Sequence, residues 1–282
     1  MIGQEQLIKR IDDEIERGVY PKFSILIGDA GTGKRTLARH IKEQLNCVDL
    51  LEFENSVASV REAIKKAYKS TQRSVFLFAD ADTMSNAAKN ALLKITEEPP
   101  KNVWFIMTLQ NETNTLETIL SRGTRYRIDP YTSLEISMYA LDTIKPATKE
   151  ELEIIQWVCN TPGDVNKLAQ VGVTELWGYA NKVYSNIAEV SGANAFKIAE
   201  KIALKDDKGF DLKLFWLMFN KICMMEIDKV ITNDNEQDKA FVKQTIKAVE
   251  ITCNSLNELR ISGINKVGLF DLWLLDVRKA WL

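Results

Sequence analysis

At 282 residues the chain can hold one to three domains and bury a substantial core. Hydrophobic residues make up 45% and charged residues 27%, which excludes a disordered chain, and the longest apolar runs, SVFLFA and VWFIM, are far too short to span a bilayer. With 37 basic against 39 acidic residues it is no polycation, so any contact with nucleic acid would be local or made within an assembly.

Residues 2–18 place Leu7, Ile11 and Ile15 four apart, one face of a helix that Gly18 can stop. KFSILIG (22–28) reads as a buried strand entering a glycine-rich turn, and KRTLARHIKEQL (34–45) resumes helical spacing. SVASVREAIKKAYKS (56–70) is an amphipathic helix with Val57, Val60, Ile64 and Ala67 inward. SVFLFADAD (74–82) is a second buried strand, SNAAKNALLKITEE (85–98) a helix ended by Pro99–Pro100, and NVWFIMTL (102–109) a third strand. Such alternation predicts an α/β class with a parallel sheet covered on both faces.

Beyond Pro130 three short helical segments follow, 133–144, 149–160 and 163–171. From Thr174 every periodic segment looks helical, including 211–231 and 238–259, which the polar stretch TNDNEQ (232–237) separates. The expected organisation is an α/β domain over 1–129, a small helical lid over 130–173 and an all-helical domain over 174–282. No signal segment is evident at the start, and Cys47, Cys159, Cys223 and Cys253 are scattered without a C-x-x-C pair. That pattern argues against zinc and disulfides and suits a reducing, cytoplasmic setting.

Gly28, Gly31, Gly33 and Lys34 satisfy G-x-x-x-x-G-K between a predicted strand and a predicted helix. In such a loop glycines turn backbone N–H groups around phosphate oxygens and the lysine neutralises their charge. A glycine-rich turn that binds nothing is the competing reading. The residue after the lysine should offer a hydroxyl oxygen to Mg²⁺, but here it is Arg35, whose guanidinium has no lone pair to give. Thr36 is displaced by roughly 100 degrees around the helix and is no substitute. At the end of the second strand, Ala79 stands where a metal-associated aspartate belongs and Asp80 where its acidic neighbour belongs. Two lesions strike the same metal.

Residues 79–128 resemble the AAA+ domain of replicative clamp-loader subunits. The family's D-E-A-D strand leads to a helix ending NALLK-x-x-EEPP, matched at residues 90–100, then a sensor strand and ILSRC, whose ILSR falls within residues 118–122. IGQEQLIKRI and the helical second half also correspond, and within the family the chain is most similar to the bacterial delta-prime subunit. The resemblance implies a AAA+ P-loop domain, a helical lid and an all-α collar. It implies a non-hydrolysing stator in a hetero-pentamer with clamp-loader ATPase subunits and a delta-type subunit, reaching a sliding clamp and primer–template DNA through the complex. Arg122 is implied as an arginine finger, supplied in trans to a neighbour's ATP site. A local surface ion pair is its plain alternative.

Three departures stand out. The four-cysteine zinc module of bacterial relatives is missing, so no zinc is expected; Gly123 replaces the cysteine of SRC; and Asn166 stands where the lid usually offers a sensor arginine. The sensor position on the third strand falls near Leu109–Gln110 without a firm assignment. Whether the degenerate loop (Gly28, Gly31, Gly33, Lys34, Thr36) and Asp80 hold ATP or ADP without hydrolysis stays open. A motor-type clamp-loader ATPase and a non-replicative AAA+ adaptor remain the alternatives. Arg125 and Arg127 read as solvated or near-interface charges, His40 as a packing or surface residue, and the aromatic cluster at 215–225 as core or subunit interface.

Overall fold

Continuous apolar runs bounded by glycine and proline make buried strands when helices cover both faces of a parallel sheet. In the computed structural model, which describes residues 2–113, 115–144, 148–187, 211–230, 236–259 and 264–281, the first 135 residues do this. Strands β1 (Phe23–Ile27), β2 (Asp49–Phe53), β3 (Ser74–Phe78), β4 (Val103–Leu109) and β5 (Thr124–Arg127) form one parallel sheet in the order β2-β3-β4-β1-β5. Helices α1 (Glu5–Glu16), α2 (Lys34–Gln44), α3 (Val57–Lys69), α4 (Asn86–Glu97) and the single turn α5 (Glu117–Leu120) connect them.

Strand periodicity sends alternate side chains to two cores. On one face Phe23, Ile25, Phe76, Phe78, Phe105 and Met107 meet Val60 and Ala63 of α3 and Leu92 and Ile95 of α4. On the other, Leu26, Val75, Leu77, Trp104 and Ile106 meet Ile11 of α1 and Leu37 and Ile41 of α2. Registers Ile27↔Leu109 and Phe78↔Met107 bring the carboxyl ends of β1, β3 and β4 to one edge. That is the edge where open α/β sheets bind ligands.

Two strands differ from the sequence expectation, which had three. β2 (DLLEF) and β5 (TRYR) are the sheet's two edges and are only partly covered. An edge strand needs no unbroken apolar run, so its signal is weak. The helix ends were legible: Gly18, at φ +68, closes α1 through its N–H to the Ile15 carbonyl at 2.9 Å, and Ser56 caps α3 by accepting from the Ser59 N–H at 3.1 Å.

The chain divides into two compact units, Met1–Glu135 and Ile136–Leu282. Every described element beyond Arg127 is helical: α6 (Ser133–Thr143), α7 (Lys149–Val158), α8 (Pro162–Val171), α9 (Val173–Asn186), α10 (Leu212–Val230), α11 (Glu236–Glu258) and α12 (Lys266–Trp281). Residues 188–210, and most of the TNDNEQ stretch expected as a break, lie outside the described residues. Phe215, Trp216 and Phe219 of α10 are fully buried against the rings of α12 (Phe270 and Trp273), with Phe219 edge-on to Trp273 at 5.0 Å, and Met218 is fully buried too. They form core, as their helical spacing suggested, whereas Met224 and Met225 are exposed. No described helix is long and apolar enough to cross a membrane.

Candidate functional site

The loop between β1 and α2 has the backbone its glycines allow. Gly31 and Gly33 sit at φ +84 and +91, where a side chain would be strained, and Gly33 is the N-cap of α2. Gly28 ties the loop to the sheet through its N–H to the Leu109 carbonyl at 3.1 Å. Thr32 is buried, donating its hydroxyl to the Asp29 carbonyl at 2.8 Å while its own carbonyl accepts from Tyr131 at 2.8 Å.

Lys34 is almost wholly buried and turns back into this loop. Its ammonium donates to the carbonyls of Gly28 at 2.5 Å and Asp29 at 2.8 Å. Burial pushes its pKa down, while the carboxylates of Asp80, Asp82 and Asp29 oppose that shift. An incoming phosphate would compete with two protein carbonyls for this cation. Thr36 is exposed on the first turn of α2.

At the end of β3, Asp80 has a left-handed backbone (φ +50), its N–H donates to Thr108 Oγ1 at 2.8 Å, and its carbonyl accepts from Asn55 at 3.0 Å. Its carboxylate faces Arg35, whose guanidinium lies 2.8 Å from Glu52 Oε1 and 3.5 Å from Asp80 Oδ2. A protein cation therefore occupies the neighbourhood where magnesium would need a hydroxyl and a carboxylate. Ala79 is buried and offers only a methyl group. This donor set does not fit a magnesium ion. Among the described residues no group of three His, Cys, Asp or Glu could hold a metal. Asp82 is used structurally, accepting from the N–H groups of Gln110 at 2.8 Å and Asn111 at 3.3 Å.

Three of these residues were not singled out from sequence. Thr108, the one polar residue in VWFIMTL, is the β4 side chain that reaches the acidic strand end, whereas the expectation lay one or two residues later, near Leu109–Gln110. A lone hydroxyl in an apolar strand was the available signal. Glu52 and Asn55 reach the site only through the pairing of β2 with β3 (Glu52↔Leu77), which no local pattern reveals.

Arg122 lies elsewhere, after α5. Its Nε–H donates to Glu97 Oε1 at 2.9 Å, an Nη2 hydrogen goes to the same oxygen, and Nη1 donates to the Thr118 carbonyl at 2.8 Å. It makes the local ion pair that was its plain alternative, while its side chain stays 31% exposed. Arg125 and Arg127 share Glu112, at 3.4 and 2.7 Å. His40 is paired with Asp12 at 2.7 Å between α1 and α2. In the helical unit, exposed Asn166 accepts from the Tyr139 hydroxyl at 3.0 Å.

Parallel strands, glycine loop and a helical second half define the class: the fold is that of an AAA+ protein. It aligns over 96% of its length with 98% of a DNA polymerase III gamma subunit-related protein of Thermotoga maritima, at TM-score 0.54 and 16% identity. The RuvB Holliday junction branch migration motor of the same organism covers 82% of the chain at TM-score 0.51 and 17% identity, with 78% of that protein aligned. Within the class, the chain is similar to the clamp-loader subunits of bacterial DNA polymerase III, and delta-prime is among the relatives. A family model described as DNA polymerase III, delta subunit, matches residues 51–132. The delta-prime subunit of Buchnera aphidicola (subsp. Schizaphis graminum) is 24% identical over 213 residues, 74% of this chain and 60% of that protein. The gamma subunit of the same organism is 26% identical over 194 residues, 57% of this chain and 53% of that protein. The chain thus spans little more than half the length of these curated relatives.

Proposed function

We propose that this chain is a clamp-loader subunit of the delta-prime kind, a stator that hydrolyses no ATP and offers Arg122 to a neighbouring subunit's ATP site. The observation that carries the reading is the Arg35 guanidinium beside Asp80 and Glu52. It supports loss of the metal-dependent step, because an ammonium or guanidinium contributes no ligand electrons and repels a divalent ion. The proposal includes a lid over 130–173 and a collar over 174–282. It places the chain in the cytoplasm in a hetero-pentamer with ATPase and delta-type subunits that acts on a sliding clamp and primer–template DNA. The buried Asp164 of PGDVN supports an ordered lid-to-collar join: both its oxygens accept from Lys213 at 2.9 Å, linking α8 to α10.

A motor-type ATPase is the second reading, favoured by the intact Gly33–Lys34 pair and by relatives named gamma. Steady-state ATP turnover of the pure chain separates the two. The stator reading expects background rates with or without Mg²⁺; turnover like that of a working AAA+ motor, abolished by Lys34→Ala, sinks it.

A further inference from the structure

Three arginines stand in SRGTRYR, and they are held in different ways. Arg125 and Arg127 share one carboxylate and are 48% and 62% exposed. Among the described residues Arg122 alone pairs with Glu97, through two N–H groups on one edge of the guanidinium, and gives a third to a backbone carbonyl. A guanidinium has five N–H donors, so two have no partner among the described residues. The group is anchored on one side and partly open on the other, the arrangement a planar fork needs to engage two anionic oxygens without first losing rotamer freedom.

We propose that Glu97 is the positioning residue for Arg122, fixing the guanidinium so that its free N–H groups face an anionic phosphate on an adjacent subunit. This rests on the finger reading above. Glu97 ends α4 and Arg122 follows α5, so the ion pair fastens the loop carrying the arginine to a helix whose Leu92 and Ile95 are in the sheet core. Glu97 itself is half exposed and would touch no phosphate. It acts through the arginine.

The test uses the chain reconstituted with the ATPase and delta-type subunits of its own replication machinery, following DNA-stimulated ATP hydrolysis. Glu97→Gln is expected to lower kcat at the site served by Arg122 about tenfold, in line with a small misplacement of a positioned group, and to leave KM for ATP unchanged. Arg122→Ala should cost more, and Glu97→Gln added to it should cost nothing further. An unchanged or raised kcat for Glu97→Gln, beside a lowered one for Arg122→Ala, overturns the inference alone, as do additive effects. No effect of Arg122→Ala sinks the finger reading and this inference with it. On the isolated chain, the ¹⁵N signal of the Arg122 Nε–H should be protected from solvent exchange and lose that protection in Glu97→Gln. A freely exchanging Nε–H in the unmodified chain refutes the contact whatever the complex does.

Discussion

Gly123, immediately before β5, has no room for any side chain. A Cβ built there lies 2.5 Å from Ile25 Cδ1, 2.6 Å from Ile25 Cγ1 and 3.0 Å from Phe23 Cε1. Ile25 is fully buried in the middle of β1, and Phe23 is nearly so, with neither free to swing into solvent. Gly123→Ala therefore over-packs the core between β1 and the start of β5, a change that typically costs about 1–3 kcal/mol. Gly123→Cys should cost at least as much. The clean readout is native-state amide exchange on peptides spanning β1 and β4, because that reports this unit and not the helical one. At about 1.4 kcal/mol per tenfold, exchange there should accelerate by about fivefold to a hundredfold. In an Ile25→Ala background the penalty for Gly123→Ala should shrink by half or more, since both close Ile25 atoms are gone. Exchange within twofold of the unmodified chain for Gly123→Ala, or an undiminished penalty in the Ile25→Ala background, would show that this site is not tight.

In the helical unit, Trp273 Nε1–H donates to Thr252 Oγ1 at 2.9 Å in a fully buried setting. Thr252→Val should cost about 1–3 kcal/mol by orphaning that N–H, and Thr252→Ser should recover most of it, as read by thermal unfolding. Lys22 lies 3.2 Å over the Trp104 ring, and burial pulls its pKa down to about 8 from an ordinary 10.5. Between those values the unfolded chain binds more protons than the folded one, so Lys22 contributes a rise in stability with pH across about 8 to 10.5. Subtracting the Lys22→Met curve from the unmodified one in urea unfolding should isolate that rise; a flat or falling difference contradicts it.

Much of the α/β unit was legible because its evidence is local. β1, the glycine loop and α2 follow one another within residues 23–44, and the apolar runs of β3 and β4 are unbroken. The edges were not legible, because charged residues interrupt both β2 (DLLEF) and β5 (TRYR), which take their identity from a neighbour. The two departures at Arg35 and Ala79 were visible as residues. Their consequence was not: that Arg35 lies between Glu52 and Asp80 depends on strand pairing across 17 and 45 positions. Arg122 stood out through its motif, but its partner Glu97, 25 residues earlier, came only with the fold.

In the function proposed above, this chain serves catalysis as a neighbour and not as a motor. DNA-stimulated ATP hydrolysis by the reconstituted complex carrying Arg122→Ala or Arg122→Lys in this chain decides between the two. Fingers supplied in trans contribute on the order of a thousandfold or more at the site they serve. One site among several should therefore fall silent, while assembly, judged by size-exclusion chromatography, survives. Lysine should not rescue, because a point charge lacks the planar fork. A mutant complex that assembles and hydrolyses ATP at the unmodified rate contradicts the account.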